Sequence, residues 1–256
     1  MKGLIKTKIL QNYEISPGIY EMILMSKELA RGGFPGKFVN IYFQDSLYLM
    51  PRPISICEVL LKEEAIKLVY AVVGKGTQKL SMMKTGDEIK VLGPLGNGFS
   101  LEKGNKKNII IGGGLGVPPL LELAKTLRGD TVAYLGFRSE PFLVGDFQKF
   151  VPEVYVATED GCRGFKGNVM DLIERHKPDG DMFYSCGPKP MLQAVVQWAR
   201  EKDIDGQVSL EEHMACGIGA CIVCTCKISE KNDGNWEHKR VCKDGPVFSR
   251  DEVVWE

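Results

Sequence analysis

Four cysteines near the carboxyl end of the chain constrain it most. Cys216, Cys221 and Cys224 have the spacing C-x4-C-x2-C, and Cys242 follows after seventeen intervening residues. This spacing is typical of the four thiolates that hold a plant-type [2Fe–2S] cluster. The two glycines between the first two cysteines allow the backbone to wrap closely around the sulfides. The chain is therefore expected to carry single electrons.

Three alternative ligand sets are possible for this segment. Structural zinc sites usually combine two C-x2-4-C pairs, whereas this segment contains one. Cys226 lies two residues beyond Cys224, and strand alternation would turn both side chains to the same side, so spacing alone ranks Cys226 below Cys242. His213 suggests a Rieske-type centre, but such centres need two histidine ligands at matching spacings. We interpret His213 as a surface or supporting residue.

The composition excludes several classes of function. The chain has 256 residues, is 44% hydrophobic, and carries 33 basic and 33 acidic side chains without a basic stripe. Nucleic acid is therefore not expected as a partner. No apolar leader and no run of eighteen apolar residues are present, so neither export nor a membrane location is expected. Eight cysteines without a leader favour metal ligation in a reducing compartment, which predicts a cytoplasmic protein.

Hydrophobic patterning divides the chain into three parts. Residues 1–100 contain short β-rich runs broken by Gly and Pro, among them 38–43, 66–73 and 88–92, which favour a small antiparallel β-barrel. Residues 101–210 alternate strands with helices, which predicts a doubly wound parallel sheet. Residues 211–256 form a small cysteine-rich domain. The predicted fold is therefore an α+β multidomain protein. In the second part, strands are predicted at 108–111, 131–136, 153–158 and 182–185, and helices at 120–127, 169–176 and 191–202.

The first part contains candidate phosphate-binding residues. Arg52 and Ser55 occur close together and offer a fork of donors and a hydroxyl to a phosphate. Gly76 and Thr77 belong to a Gly-x-Gly-Thr turn whose backbone N–H groups can approach the same anion. This combination suits a flavin pyrophosphate. The alternative is a solvated arginine beside ordinary hairpin turns.

The second part contains a glycine-rich loop between a strand and a helix, which is the geometry for binding a pyrophosphate at a helix N-terminus. The third glycine of the G-x-G-x-x-G pattern is missing, so this is not the ordinary dinucleotide fingerprint. A second candidate loop follows a later strand, and its cysteine is either a neighbour of a nicotinamide ring or a small buried hydrophobe. The candidate nucleotide-binding residues are Gly112, Gly113, Gly114, Gly116, Cys186, Gly187 and Pro188.

The order of these motifs resembles a known family. Arg-Pro-x-Ser, Gly-x-Gly-Thr, Gly-Gly-Gly-x-Gly-x-x-Pro and Cys-Gly-Pro follow one another as in the ferredoxin–NADP reductase superfamily, across nearly all of residues 1–210. The tail, with Met-Ala-Cys-Gly-Ile-Gly-Ala-Cys-Ile-Val-Cys and Lys-Arg-Val-Cys-Lys-Asp-Gly-Pro, resembles the electron-transfer subunits of NAD-dependent dihydroorotate dehydrogenases. The resemblance covers the whole chain.

The resemblance implies the cofactors FAD, a [2Fe–2S] cluster and NAD, together with an FMN-containing catalytic subunit as partner, in a heterotetramer with two copies of each chain. It implies that electrons from dihydroorotate pass from the partner's flavin to the cluster, to FAD and then to NAD⁺, in pyrimidine (UMP) biosynthesis. No catalytic acid or base is then expected in this chain. The FAD residues implied are Arg52, Pro53, Ile54, Ser55, Val69, Tyr70, Ala71, Gly76 and Thr77, and the cluster ligands are Cys216, Cys221, Cys224 and Cys242.

Other functions stay open at this point. A chain with the same architecture could be the small subunit of an NADH-dependent ferredoxin:NADP oxidoreductase or of a sulfide dehydrogenase. An assembly protein with a zinc module is an alternative from another class. Arg138, near the end of the second strand of the nucleotide domain, could accept a 2′-phosphate and so favour NADP, whereas the family resemblance favours NAD.

Overall fold

The computed structural model describes residues 3–43, 49–101, 106–229 and 235–255. Its first part contains six strands and two short helices. The strands close into an antiparallel barrel in the chain order 1-2-5-4-3-6, which confirms the predicted barrel. They are β1 (Leu4–Ser16), β2 (Ile19–Met25), β3 (Phe38–Tyr42), β4 (Arg52–Leu60), β5 (Ala65–Ala71) and β6 (Glu88–Leu95), with α1 (Lys27–Gly32) and α2 (Lys75–Ser81) between them.

The second part is a sheet flanked by helices. Its strands are β7 (Asn108–Gly113), β8 (Thr131–Phe137), β9 (Glu153–Thr158), β10 (Phe165–Lys166), β11 (Met182–Cys186) and β12 (Asp205–Ser209). Its helices are α3 (Leu121–Thr126), α4 (Val144–Phe147), α5 (Val169–His176) and α6 (Lys189–Glu201). These strands run parallel in the order β10-β9-β8-β7-β11-β12. The connections reverse direction between β7 and β11, which is where open α/β sheets bind ligands.

The cysteine-rich segment shares its packing with the sheet. Its strands β13 (Thr225–Ile228) and β14 (Glu237–Arg240) form a hairpin, and β15 (Val247–Ser249) pairs antiparallel with β12. Cys224 and Cys242 are buried in the same apolar cluster as Ile109 and Phe183 of the sheet. The last part of the chain therefore extends the core of the second part instead of building one of its own. None of the described helices combines the length and apolar character needed to cross a bilayer.

Two segments differ from the sequence expectation. The strand predicted over 66–73 ends at Ala71, because the backbone N–H groups of Val73 and Gly74 donate to Thr77 Oγ1 and begin α2. The helix predicted over 120–127 is regular only from Leu121 to Thr126 and is preceded by two 3₁₀ turns. Adjacent prolines at 118 and 119 lack the N–H groups that a continuous helix would use there.

The barrel is fastened to the sheet by ionic side chains of α3. Among the described residues, strand β3 pairs with β4 over Arg52–Ser55, and Val59 lies beyond this ladder. Glu122 Oε2 accepts the N–H of Val59 at 2.7 Å, and Lys125 Nζ donates to the carbonyl of Val59 at 2.7 Å. Lys125 also pairs with Glu58 at 3.4 Å. The N–H and carbonyl groups of Val59 at this strand edge thus find their hydrogen-bond partners in side chains from the second part of the chain.

We expect Glu122→Ala to destabilise the protein by about 1–3 kcal/mol, because it leaves a buried N–H group without an acceptor. Glu122→Gln keeps an acceptor oxygen and should cost less. The measurement is the urea-unfolding midpoint. Asp146→Ala, which removes the half-buried partner of the exposed Lys149, is the control, and it should change stability by less than about 1 kcal/mol. Equal effects of Glu122→Ala and the control would contradict this role.

Candidate functional site

The first two cysteines of the motif lie in one tight loop. Their sulfur atoms are 3.3 Å apart, and Cys216 Sγ accepts the N–H of Cys221 at 3.3 Å and the N–H of Ile218 at 3.5 Å. The loop reaches this shape through Gly217 and Gly219, which have φ of 67° and 81°, in the left-handed region. Burial works against ionisation, but these N–H donors prevail and lower the pKa of Cys216 to about 6.

The other two cysteines form a second, buried pair. The N–H of Cys242 donates to Cys224 Sγ at 3.4 Å, and the N–H of Val241 donates to the carbonyl of Cys224 at 2.8 Å. Burial and the neighbouring Cys224 raise the pKa of Cys242 to about 12. The Cys216 sulfur also acts electrostatically on Cys242, so the two pairs are neighbours. None of the eight cysteines is in a disulfide.

The donor set suits a two-iron cluster. Each iron of a [2Fe–2S] centre takes two protein ligands, and the four sulfurs here are arranged as two pairs. Among the described residues, no three His, Cys, Asp or Glu side chains are gathered into a closed mononuclear metal site. Arg240 Nη1 donates to the carbonyl of Gly219 at 3.0 Å, which ties the cysteine loop to the second strand of the hairpin.

Cys226 has a different environment from these four. It lies in β13, and its Sγ contacts the carbonyl of Lys239 across the hairpin at 3.6 Å. Burial raises the pKa of Cys226 to about 12. The Cys226 thiol therefore packs across the hairpin.

A cavity of about 310 Å³ lies between the barrel, the sheet and the cysteine segment. Eight of the nine residues expected for FAD line it. Seven come from strands β4 and β5, namely Arg52, Pro53, Ile54, Ser55, Val69, Tyr70 and Ala71, and the eighth is Thr77 of α2. Gly76 is the ninth and lies beneath the arginine instead of on the wall. The wall also contains residues that motif reasoning missed, namely Phe38, Val73, Leu115, Ser209, Leu210, Glu212, Met214 and Pro246.

Arg52 and Gly76 form one unit. A Cβ atom on Gly76 would lie 2.2 Å from Arg52 Nε, so only glycine allows the guanidinium this close to the start of α2. Arg52 Nη1 donates to the carbonyls of Met50 at 2.8 Å and Pro51 at 3.3 Å, which fixes the guanidinium. A fixed guanidinium above a backbone turn is a suitable cradle for the phosphates of a dinucleotide.

A partly buried hydrogen bond to Asn12 holds the hydroxyl end of Tyr70. Its hydroxyl donates to Asn12 Oδ1 at 2.9 Å, and Asn12 Nδ2 donates to the carbonyls of Leu80 and Met83. Burial raises the pKa of Tyr70 well above its ordinary value, so the ring stays neutral. Sequence reasoning missed Asn12, because its hydrogen-bond partners lie 58 to 71 positions away in the chain.

A larger cavity of about 980 Å³ lies over the carboxyl ends of β7 and β8. Gly113, Gly114 and Pro188 of the predicted nucleotide residues line it. Arg138 lies on its wall with the carboxylates of Glu140 and Glu159.

The remaining predicted nucleotide residues support the two loops. A Cβ atom on Gly116 would lie 2.2 Å from the carbonyl oxygen of Cys186, and one on Gly112 would meet the Val117 side chain at 3.0 Å. A Cβ atom on Gly187 would meet Met191 at 2.5 Å. Gly116 is therefore required by close backbone packing between the loops after β7 and β11, whereas Gly112 and Gly187 mainly meet side chains.

Cys186 belongs to the wall of the smaller cavity. Burial and the carboxylate of Glu211 raise the pKa of the Cys186 thiol well above its usual range, so it is neutral. Glu211 lines the same cavity, and desolvation by the surrounding protein raises the pKa of its carboxyl. The two cavities share the side chains of Val73 and Leu115.

Proteins of known description resemble this chain in sequence. A family model described as the iron-sulfur cluster binding domain of dihydroorotate dehydrogenase B matches residues 211–254. The dihydroorotate dehydrogenase B (NAD(+)) electron transfer subunit of Caldanaerobacter subterraneus subsp. tengcongensis is 42% identical over 256 residues, covering 100% of both chains. The protein with the same description in Fusobacterium nucleatum subsp. nucleatum is 42% identical over 258 residues, covering 96% of each chain.

Solved structures show the same architecture. The structure of an NADH-dependent reduced ferredoxin-NADP oxidoreductase matches 100% of this chain and 92% of its own, with a TM-score of 0.84 and 29% identity. A ferredoxin-NADP⁺ reductase from Plasmodium falciparum, at 19% identity and a TM-score of 0.62 over 80% of this chain and 96% of its own, shares the fold. The expected fold class and family resemblance are confirmed. The chain belongs to the family of electron transfer subunits of dihydroorotate dehydrogenase B (NAD(+)).

Proposed function

We propose that this chain holds a [2Fe–2S] cluster, FAD and NAD in a row and passes electrons between a partner subunit and NAD⁺. The observation that carries the proposal is the sequence of neighbouring sites. The smaller cavity is bounded by Met214, two residues before Cys216, and by Leu115 of the glycine-rich loop, which also lines the larger cavity. A flavin in the smaller cavity therefore lies next to both the cysteine loop and the nucleotide loop.

The cofactors supply the redox chemistry: a cluster exchanges one electron at a time, and a flavin combines two electrons into the hydride that NAD⁺ accepts. The chain supplies position. Arg52 and the turn at Gly76 hold the phosphates, Tyr70 and Val69 pack along the ring, and Cys216, Cys221, Cys224 and Cys242 are the ligands of the cluster. Neutral Cys186 on the cavity wall adds no charge beside the reacting ring.

The partner is the catalytic subunit of dihydroorotate dehydrogenase B, which oxidises dihydroorotate on an FMN in pyrimidine biosynthesis. Support for docking near the cluster comes from three exposed apolar side chains of the cysteine segment. Ile218, Ile222 and Val223 are 53%, 78% and 54% exposed. Exposed apolar side chains that cluster on a surface mark interaction sites. A heterotetramer with two copies of each chain, located in the cytoplasm, completes the proposal.

NAD is proposed over NADP because of the charges at the larger cavity. Arg138 could accept a 2′-phosphate, but Glu140 and Glu159 line the same wall. Two carboxylates beside an extra dianionic phosphate would repel it. The domain boundaries 1–100, 101–210 and 211–256 remain part of this proposal, with β15 of the last part completing the sheet of the second.

The small subunit of an NADH-dependent ferredoxin:NADP oxidoreductase is the second candidate, since the structure with that description shares the architecture over the whole chain. Its identity is 29%, against 42% for the dihydroorotate relatives. Isolation of the chain with its natural partner distinguishes the two. The proposal requires that dihydroorotate bleach both the flavin and the cluster absorption only when the partner is present. Recovery with an NADPH-dependent subunit that carries two FAD molecules would contradict it.

We expect Cys221→Ala to abolish the cluster and electron transfer from the partner, because three thiolates leave one iron without its second protein ligand. NADH oxidation by artificial dyes should persist, since it needs only FAD. The matched control is Cys226→Ala, which should keep iron and acid-labile sulfide unchanged. Measurements are iron content, visible absorbance and both activities. Loss of the cluster in Cys226→Ala but not in Cys221→Ala would contradict the ligand assignment.

Arg52→Ala is expected to weaken FAD binding by about 1.5–3 kcal/mol, through loss of charge-assisted bonds to phosphate. This corresponds to a rise in Kd of about 10- to 150-fold. Flavin retained after dialysis, and FAD titration of the stripped protein, measure it. Arg128→Ala, an exposed arginine just before the amino end of β8, is the matched control. Unchanged FAD affinity in Arg52→Ala would remove Arg52 from the site.

A further inference from the structure

Asn40 is a buried polar side chain that the proposed electron route leaves unexplained. It lies in the middle of β3 and has no solvent exposure. Its Nδ2 donates to the carbonyl of Cys216 at 3.2 Å, 176 positions along the chain. Its Oδ1 has no hydrogen-bond partner among the residues that the structure describes. The barrel thus reaches the first cysteine of the cluster loop through one amide group.

The position of Asn40 in the barrel places it between the two cofactor sites. In the antiparallel register, Asn40 is opposite Pro53 of β4, which lines the smaller cavity. Phe38 lies two residues before Asn40 on the same face of β3 and also lines that cavity. The neighbouring Val39 and Ile41 point instead into the barrel core. Asn40 therefore stands on the outer face of the barrel, between the flavin wall and the cysteine loop.

The cysteine loop is seated directly on this amide. A Cβ atom on Gly217 would lie 2.0 Å from Asn40 Nδ2, so the loop backbone can approach only because residue 217 is glycine. The carbonyl that Asn40 holds begins the turn whose next N–H groups donate to Cys216 Sγ. Fixing the carbonyl orients the Cys216–Gly217 peptide plane, from which the turn that carries those N–H groups starts.

The energetic balance also points to a specific role. A buried oxygen without a partner costs about 1–3 kcal/mol, and an apolar side chain of similar shape would avoid that cost. The one thing that such a side chain could not supply is the donor to Cys216. N–H bonds to cluster sulfurs are among the factors that set the reduction potential of iron–sulfur centres.

Resting on the proposed function, we propose that Asn40 is a positioning residue for the cluster: it fixes the Cys216 end of the loop against the flavin wall and so sets the reduction potential and retention of the [2Fe–2S] centre. Asn40 does not ligate iron. Its effect passes through the Cys216 carbonyl and the turn at Gly217.

The first test compares Asn40→Ala with a matched control, Asn108→Ala, in the full chain carrying its cofactors. Asn108 is also a buried asparagine whose Nδ2 donates to backbone carbonyls, those of Lys106 and Arg128, but at the amino end of β7 and away from the cofactor loops. We expect Asn40→Ala to shift the midpoint potential of the cluster in an EPR-monitored redox titration and to change its EPR line shape. Loss of iron to a chelator should be about fivefold faster, the equivalent of one hydrogen bond of about 1 kcal/mol. Asn108→Ala should leave all three measurements unchanged.

A second test uses the close approach at Gly217. Gly217→Ala places a methyl group against Asn40 and should speed cluster loss in the wild-type background. In an Asn40→Ala background the same substitution should have a smaller effect, because the clash with the amide is gone, and only the backbone strain at φ of 67° persists. FAD content and the unfolding midpoint show whether each variant is folded. The coupling can therefore be measured even if Asn40→Ala binds less cluster.

The outcomes separate this inference from the proposed function. Wild-type protein without a [2Fe–2S] signal would remove the proposed function itself. Wild-type protein with a normal cluster, combined with an unchanged potential and chelator rate in Asn40→Ala, would overturn only the role of Asn40. Additive effects of Asn40→Ala and Gly217→Ala would overturn it as well, because independent positions do not couple.

Discussion

The structure depends most on how the cysteine segment is packed. This segment is too short to bury a core alone, and Cys224 and Cys242 are buried against the sheet while β15 pairs with β12. The loop that carries Cys216 and Cys221 stays near the surface and rests on the barrel through Asn40. One pair of cysteines is therefore anchored in the interior, while the other lies near the surface.

The same packing creates the smaller cavity. Its walls come from the barrel, from the loops after β7 and β11, and from the start of the cysteine segment, so no single part of the chain forms it. The bonds from Glu122 and Lys125 of α3 to the backbone of Val59 in β4 hold the barrel against the sheet. A change in that fastening would be transmitted to the cavity, because buried parts that share a wall cannot move independently.

The backbone of the cysteine loop serves two purposes. Positive φ at Gly217 and Gly219 turns the N–H groups of Ile218 and Cys221 toward the sulfur of Cys216, which stabilises its thiolate. The absence of a side chain at Gly217 lets the loop lie against Asn40. The glycines between the cysteines are thus needed both for the curvature of the loop and for its contact with the barrel.

Local patterns in the sequence determined the barrel, the parallel sheet and the four-cysteine motif, because turn residues, hydrophobic period and ligand spacing act over short stretches of chain. Motifs also identified Arg52, Gly76 and the two loops that meet at Gly116 and Cys186. The family resemblance, not the pattern, supplied the order of cofactors. Only the tertiary structure decided that Asn12 supports Tyr70, that Asn40 holds Cys216, and that Leu115 and Val73 separate the two cavities. These contacts join residues far apart in the chain, and a single asparagine or leucine carries no local signal of the distant group that it will meet once the three parts pack together.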